Sequence, residues 1–188
     1  MMHTLIHTTS LLRNDRQRES RDLWPQNTTI SEHDVVVGGR SLIDLARERR
    51  TPCVLIAPAA ASGIGDSGGA YRTLVVATVT ARRERRRWHR EVDLDVDCDL
   101  RPIIPRVMHA ELLNSPRGRD LQPMLIHSSD EESPMRVRLP EQTSPGDLVV
   151  FACAGTLALS QITPHRAAPR VSEDDEDLDQ GPGRCMKH

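Results

Sequence analysis

The sequence predicts a mainly β protein, a small antiparallel barrel or sandwich with one or two short helices. Several short apolar runs rich in β-branched residues are separated by turn signals, which is typical of such architectures. One stretch, 41–52, has helical spacing instead. The 188 residues fit a single domain. Aromatic residues make up only 2% of the chain, so we expect a modest core of Val, Leu, Ile and Ala.

The first predicted elements are a strand, a helix and a second strand. Asp34–Val37 is a short β-branched strand. Ser41, with Asp44 three residues later, has the pattern of a capping box that begins a helix. The helix is expected to end before Pro52, because a residue that precedes proline avoids helical geometry. Cys53–Ile56 is the next apolar strand.

The remainder of the predicted domain is rich in strands. Trp88–Val96 shows the clearest alternation, with Val92, Leu94 and Val96 on one face and aspartates on the other. A turn signal, Ser144–Asp147, precedes an apolar run. Strands are predicted at 71–80, 88–96, 103–113, 122–128, 134–139, 147–153 and 156–163.

Three segments lack a core-forming pattern. Residues 1–33 are polar without a sustained period and predict a flexible N-terminal arm. Residues 57–70 are small and flexible in composition and predict a linker inside the domain, which spans 34–165. Residues 166–188 predict a disordered acidic tail, because seven consecutive positions from Glu173 are almost all acidic.

Charge and cysteine usage exclude several classes of protein. The net charge is −2, so nothing favours nucleic acid or a membrane as partner. The basic run Arg82–Arg90 is interpreted as a solvated hairpin end, because a nucleic-acid site would add aromatics or a second basic patch. The four cysteines form no CxxC pair, which argues against a zinc site or a disulfide framework. No apolar run is long enough to span a bilayer, and no signal peptide is recognised, so we expect a soluble cytoplasmic protein.

Three blocks of the chain resemble the pyridoxal-phosphate-dependent decarboxylases of ornithine, arginine or diaminopimelate, which share the alanine-racemase-like, fold-type III architecture. The first, GGRSLIDLARERRTPCVLI (38–56), resembles the family's entry segment, with Arg50 in place of the usual glycine. The second, VDLDVDCDLRPIIPRVMHAEL (92–112), shares Val92, Asp93, Arg101 and Pro102. The third resembles the family's final β segment and shares Leu139, Pro140, Gly146, Asp147, Phe151, Ala154 and Gly155.

The resemblance implies a C-terminal β-domain plus an N-terminal entry segment, without the (β/α)8 barrel that separates them in the family. Such a barrel needs about 250 residues. The barrel would carry the lysine that forms the Schiff base with pyridoxal phosphate. Lys187 is the only lysine of this chain, and it lies in the acidic tail. We therefore expect no cofactor on this chain alone.

The resemblance also supplies candidate site residues. Arg101 matches an arginine implied to contact a substrate carboxylate or a phosphate. Two family tyrosines are replaced, one by Pro105 and the phosphate-facing one by Leu157. The family's cysteine and acid that reach a partner's site align with His127 and Ser128, or after a small shift with Ser129 and Asp130. His127, Ser129 and Asp130 are weak catalytic candidates, since each also fits a purely structural role.

Three hypotheses follow. The chain is a degenerate, non-catalytic β-domain that acts as an interaction module, as a homodimer or with a full-length decarboxylase. Alternatively, it completes the active site of a barrel-bearing decarboxylase in trans, through Arg101 and Asp130. A third possibility is a remnant of a disrupted gene. The missing lysine, thiol and tyrosines favour the first and third over the second.

Overall fold

The computed structural model describes residues 23–31, 33–60, 70–85, 91–113, 120–128 and 134–164. These residues form ten strands, arranged in one large and one small sheet, and two helices. In chain order, the elements are β1 (Thr28–Ile30), β2 (Val35–Val37), β3 (Arg40–Ser41), α1 (Leu42–Arg49), β4 (Cys53–Pro58), β5 (Tyr71–Arg85), β6 (Glu91–Val96), β7 (Val107–Leu113), β8 (Leu121–Ser128), β9 (Met135–Pro140), β10 (Leu148–Ala154) and α2 (Leu159–Ile162).

The large sheet curls into a nearly closed barrel. Its strand order is β7-β10-β5-β6-β8-β9, with β4 paired to the first half of β5. Neighbouring strands are antiparallel except for β6 and β8, which are parallel. The predicted fold class, a mainly β barrel or sandwich with one or two short helices, is confirmed, and the structure has the barrel form with two helices. The parallel pair arises because β7 crosses to the far end of the sheet before the chain returns as β8.

The alternation of side chains along the strands gives the sheet two buried faces. Val75, Val79 and Phe151 belong to the core inside the barrel. Leu74 and Val150, on the opposite face of the same strands, belong to a second core. Because both faces of β5 and β10 are covered, these strands read as continuous apolar runs rather than as alternating ones.

The second core is built by the N-terminal elements. Strands β1, β2 and β3 form a separate antiparallel sheet, and helix α1 buries Leu42 and Leu45 beside it. Trp24 is 1% exposed and packs in the same core. The folded part of the chain therefore begins before residue 34, whereas the sequence assigned residues 1–33 to a flexible arm. An isolated tryptophan has no periodicity that could have revealed this packing.

Helix α1 begins and ends at the predicted positions. The Ser41 hydroxyl accepts a hydrogen bond from the Asp44 backbone N–H at 3.1 Å, as the capping pattern indicates. At the other end, Arg50 adopts φ 62° and ψ 162°. This backbone region is almost exclusive to glycine, the residue that the resembling family carries there.

A polar network joins the ends of β4 and β6 to the middle of β5. The Asp97 carboxylate accepts the Thr78 backbone N–H at 2.8 Å and the Thr51 hydroxyl at 2.6 Å. The two threonine hydroxyls are also 2.6 Å apart. The register of β5 against β6 shifts just beyond this point, between Val79 and Ala81. Asp97 thus holds the position at which β5 changes its partner from β4 to β6.

The predicted turn Ser144–Asp147 is present and packs on the same bend. The Asp147 side chain accepts the Ser144 backbone N–H at 2.8 Å. The Gly146 N–H donates to the Val79 carbonyl at 2.8 Å, and the Val79 N–H donates to the Asp147 carbonyl at 2.9 Å. Gly146 has φ +94°, a conformation that glycine adopts without strain.

Three segments differ from the sequence-based expectation. The predicted strand 156–163 is wrong, because Gly155 turns the chain at φ +74° and the short helix α2 follows. Strand β5 extends through Arg85, so part of the basic run is strand. There, the Arg82 guanidinium donates to the carbonyls of Glu141 and Thr143 at 2.6 and 2.7 Å. Strand β4 continues to Pro58, into the region assigned to a linker.

Candidate functional site

Arg101 lies in the turn that follows β6 and is held by a neighbouring carboxylate. Its backbone N–H donates to Asp99 Oδ1 at 2.9 Å, and its Nε donates to both Asp99 oxygens at 3.0 Å. Its Nη2 also contacts Asp99 Oδ2. The Asp99 side chain is 9% exposed and the Arg101 side chain 66%. The guanidinium is therefore oriented at the surface, with its Nε–Nη2 edge engaged by Asp99.

His127 lies on the outer face of the barrel, next to Asp93. Val92 and Leu94 of β6 and Ile126 of β8 point into the core, so Asp93 and His127 point outward. The parallel register places Asp93 opposite Leu125 and therefore diagonal to His127. His127 Nε2 is 3.4 Å from Asp93 Oδ1, and both side chains are largely buried, at 18% and 10% exposure.

The His127–Asp93 pair brings together two residues that are far apart in sequence. Asp93 belongs to the second block of the resemblance, and His127 is one of the weak catalytic candidates. A general base needs a substrate within hydrogen-bond reach. The cavity described below is lined by other residues, so the pair is not placed at its wall. Arg101 belongs to a different element, the turn after β6.

Three further positions complete the comparison with the predicted site. Ser129 and Asp130 lie outside the described residues. Leu157, at the position of the family's phosphate-facing tyrosine, is fully buried in the barrel core. Its backbone N–H donates to the Thr73 hydroxyl at 2.9 Å. A side chain packed in this way faces the core instead of a ligand.

Sequence reasoning missed an exposed apolar patch at one end of the barrel, which we call the barrel-end patch: Ile56, Tyr71 and Leu159. Each is between 44% and 49% exposed. Ile56 pairs with Thr73, two residues from Tyr71, so both side chains lie on one sheet face. The Tyr71 carbonyl accepts the Gly155 N–H at 3.0 Å, which places the segment leading to Leu159 at the same end. Only the strand register reveals this grouping.

Sequence reasoning also missed a groove between the two end strands of the curled sheet, which we call the seam groove. Its volume is about 450 Å³. The polar residues lining it are His109, Arg136 and Arg138. The apolar lining residues are Val107, Met108, Ala110, Leu121, Met135 and Val137. It exists because, among the described strands, β7 and β9 are each paired on one side only.

The three described cysteines are buried in the two cores. Burial raises the pKa of Cys153 to about 12 and raises the pKa values of Cys98 and Cys53. Thiols in this state are poor nucleophiles and metal ligands, because the thiolate is the reactive form. Within the described ranges, no three His, Cys, Asp or Glu residues are grouped so that they could hold a metal ion. Among the helices of these same ranges, none has the length and apolarity to cross a bilayer.

Comparisons with known proteins give a partial structural likeness. No protein-family model and no curated protein matches the chain. The arginine decarboxylase of Paramecium bursaria Chlorella virus bound to agmatine is similar over 44% of this chain and 24% of its own, at 19% identity and TM-score 0.36. A second crystal structure of that enzyme is similar over 49% and 28%, at 16% identity and TM-score 0.37. The chain thus spans about a quarter of that enzyme, and so limited a likeness says nothing about activity.

Proposed function

We propose that this chain is a decarboxylase-type β-domain that acts as a non-catalytic interaction module and self-associates through the barrel-end patch. The observation that supports it is the exposure of Ile56, Tyr71 and Leu159 at one end of the barrel. Large apolar side chains grouped on a surface are a feature of protein interfaces. Tyr71 is the best anchor, because tyrosine is enriched among residues that dominate binding energies.

The described residues do not fit pyridoxal phosphate. The Nε–Nη2 edge of Arg101 is engaged by Asp99, so a phosphate or carboxylate would compete with that side chain for it. Leu157 is buried and has no hydrogen-bonding group to offer. The only lysine, Lys187, lies outside the described residues and in the segment of acidic composition. These features support a non-catalytic role.

The expected association is modest. Full burial of one such side chain contributes about 1.5–3 kcal/mol, and these side chains are already half buried. Each therefore adds about 1 kcal/mol. Because a dimer contains two copies of each side chain, one substitution removes about 2 kcal/mol, which corresponds to about a thirtyfold change in the dissociation constant.

Sedimentation equilibrium of the purified chain tests the proposal. We expect a concentration-dependent dimer whose dissociation constant rises about thirtyfold in Tyr71→Ser. Leu121→Ser is the matched control, because Leu121 is 46% exposed but lines the seam groove instead of the patch. A strictly monomeric chain refutes self-association. A dimer weakened by Leu121→Ser and not by Tyr71→Ser places the interface elsewhere.

A second candidate function is the completion of a barrel-bearing decarboxylase in trans. The observation that favours it is the exposed, oriented guanidinium of Arg101. Mixing the chain with such an enzyme is then expected to raise decarboxylation, and Arg101→Ala should abolish the increase. Arg47→Ala, which removes a charge of similar exposure on α1, is the control. Equal stimulation by all three chains refutes this function.

The non-catalytic character has its own test. The chain is incubated with pyridoxal phosphate, its visible spectrum is recorded, and the mixture is treated with borohydride. We expect no stoichiometric covalent adduct on the native chain. A stable adduct that maps to one site contradicts the proposal.

A further inference from the structure

We infer that the apolar segment 4–12 of this chain's own N-terminal region binds in the seam groove, along the edges of β7 and β9 that pair with no other described strand. This inference does not depend on the proposed self-association.

The groove presents backbone edges and apolar walls together. Among the described strands, β7 and β9 each pair with a neighbour along one edge only, and an extended segment can add to such an edge. Six of the nine lining residues are apolar. A volume of about 450 Å³ lies within the range of about 300–1,000 Å³ that is usual for ligand sites. The groove therefore suits an extended segment with several apolar side chains.

The described chain begins beside this groove. Trp24 packs edge-on against His109, with ring centroids 5.6 Å apart, and His109 lines the groove. Residues 1–22 precede this point. The ten residues 13–22 are polar and reach about 33 Å when extended, since each residue adds up to about 3.3 Å. The segment 4–12 can therefore reach any part of the groove without a change in the fold.

The composition of segment 4–12 matches an edge-pairing strand. It reads TLIHTTSLL, with three threonines and an isoleucine among its nine residues and neither proline, glycine nor formal charge. β-branched residues favour strands, and the absence of proline leaves every backbone N–H available for pairing. Leu5, Ile6, Leu11 and Leu12 supply apolar side chains.

The acidic segment 172–179 is the competing occupant, because Arg136 and Arg138 line the groove. It contains one apolar residue, Leu178, for six apolar lining residues. The Arg138 guanidinium already donates to the Leu121 carbonyl at 3.1 Å. Aspartate and glutamate are also depleted in strands. The apolar N-terminal segment is thus the better match.

Hydrogen–deuterium exchange of the full chain tests the inference. The readout is the exchange of peptides that cover β7 (Val107–Leu113) and β9 (Met135–Pro140). The double variant Leu5→Asp/Ile6→Asp should speed their exchange about tenfold, whereas peptides of β5 should not change. Asn14→Asp/Gln17→Asp is the matched control, because it adds the same charge just outside the segment and leaves residues 4–12 unchanged. Its effect should be clearly smaller.

A second measurement keeps the test independent of any single variant. A synthetic peptide of residues 3–12, added to a chain that lacks residues 2–12, should restore slow exchange in the same two strands. Equal exchange in the full chain, the double variant and the shortened chain overturns the inference. If exchange of β7 and β9 in the full chain becomes fast at low protein concentration, the segment that protects them comes from a second copy, and the inference is also overturned. Exchange of β7 and β9 that instead becomes faster in Asp174→Asn/Asp175→Asn and stays unchanged in Leu5→Asp/Ile6→Asp is the third such outcome. That result assigns the groove to the acidic segment and overturns the inference.

Discussion

Replacing Arg50 by glycine should stabilise the protein. Arg50 ends helix α1 with φ 62° and ψ 162°, a region in which a side chain is strained and glycine is not. The residue is exposed, so its replacement removes little packing. Arg49, the preceding residue, is also exposed but has helical backbone geometry. Arg49→Gly is therefore a control that removes the same charge.

The magnitude follows from two opposing terms. A residue held in this region costs on the order of 1–3 kcal/mol, which glycine relieves. Glycine also makes the unfolded chain more flexible, which costs about 0.4–1 kcal/mol. The net gain in the free energy of unfolding is about 1 kcal/mol, equivalent to a rise of about 2–4 °C in Tm for a protein of this size. Arg49→Gly should instead lower the free energy of unfolding by up to about 1 kcal/mol.

Thermal unfolding followed by circular dichroism, with urea unfolding as a second probe, measures both variants. We expect Arg50→Gly to raise Tm and Arg49→Gly to lower it. If Arg50→Gly lowers Tm as Arg49→Gly does, Arg50 is not strained in the folded protein.

Two further predictions concern the barrel. Asp97→Ala should lower the free energy of unfolding, measured in urea, by about 2–4 kcal/mol, because it removes the acceptor of the Thr78 N–H and the Thr51 hydroxyl. The control is Glu48→Ala, which removes an exposed ion-pair partner. A loss in Asp97→Ala no larger than in this control would contradict the prediction. The raised pKa of Cys153, about 12 against 9.0, means that the unfolded chain loses this proton first. The stabilisation that the buried Cys153 thiol contributes is complete below about pH 9. The free energy of unfolding should fall by about 1 kcal/mol from pH 9 to pH 10 as this contribution is lost. If the free energy of unfolding of Cys153→Ala falls as steeply with pH as that of the native chain, the prediction is wrong.

The local elements were predictable because their signals are local. The Ser41 cap, the turn at Ser144–Asp147 and the alternation of β6 each depend on residues within a few positions of one another. The candidate site was predicted less well. Arg101 was a candidate from the resemblance, but only the structure shows that Asp99 engages its guanidinium. The neighbourhood of His127 and Asp93 was not foreseen, since it requires the parallel register of β6 and β8.

The sequence by itself determined the fold class, most strand positions and a composition with one lysine and one tyrosine. Hydrophobic period, turn chemistry and residue identity are properties of the chain alone. The tertiary structure alone decided which strands are neighbours. That choice buries Trp24 and Leu157, groups Ile56 with Tyr71, and leaves an open groove between β7 and β9. The physical reason is that strand pairing joins residues far apart in sequence, and many pairings satisfy the same local pattern. Only the burial of both sheet faces at once selects among them.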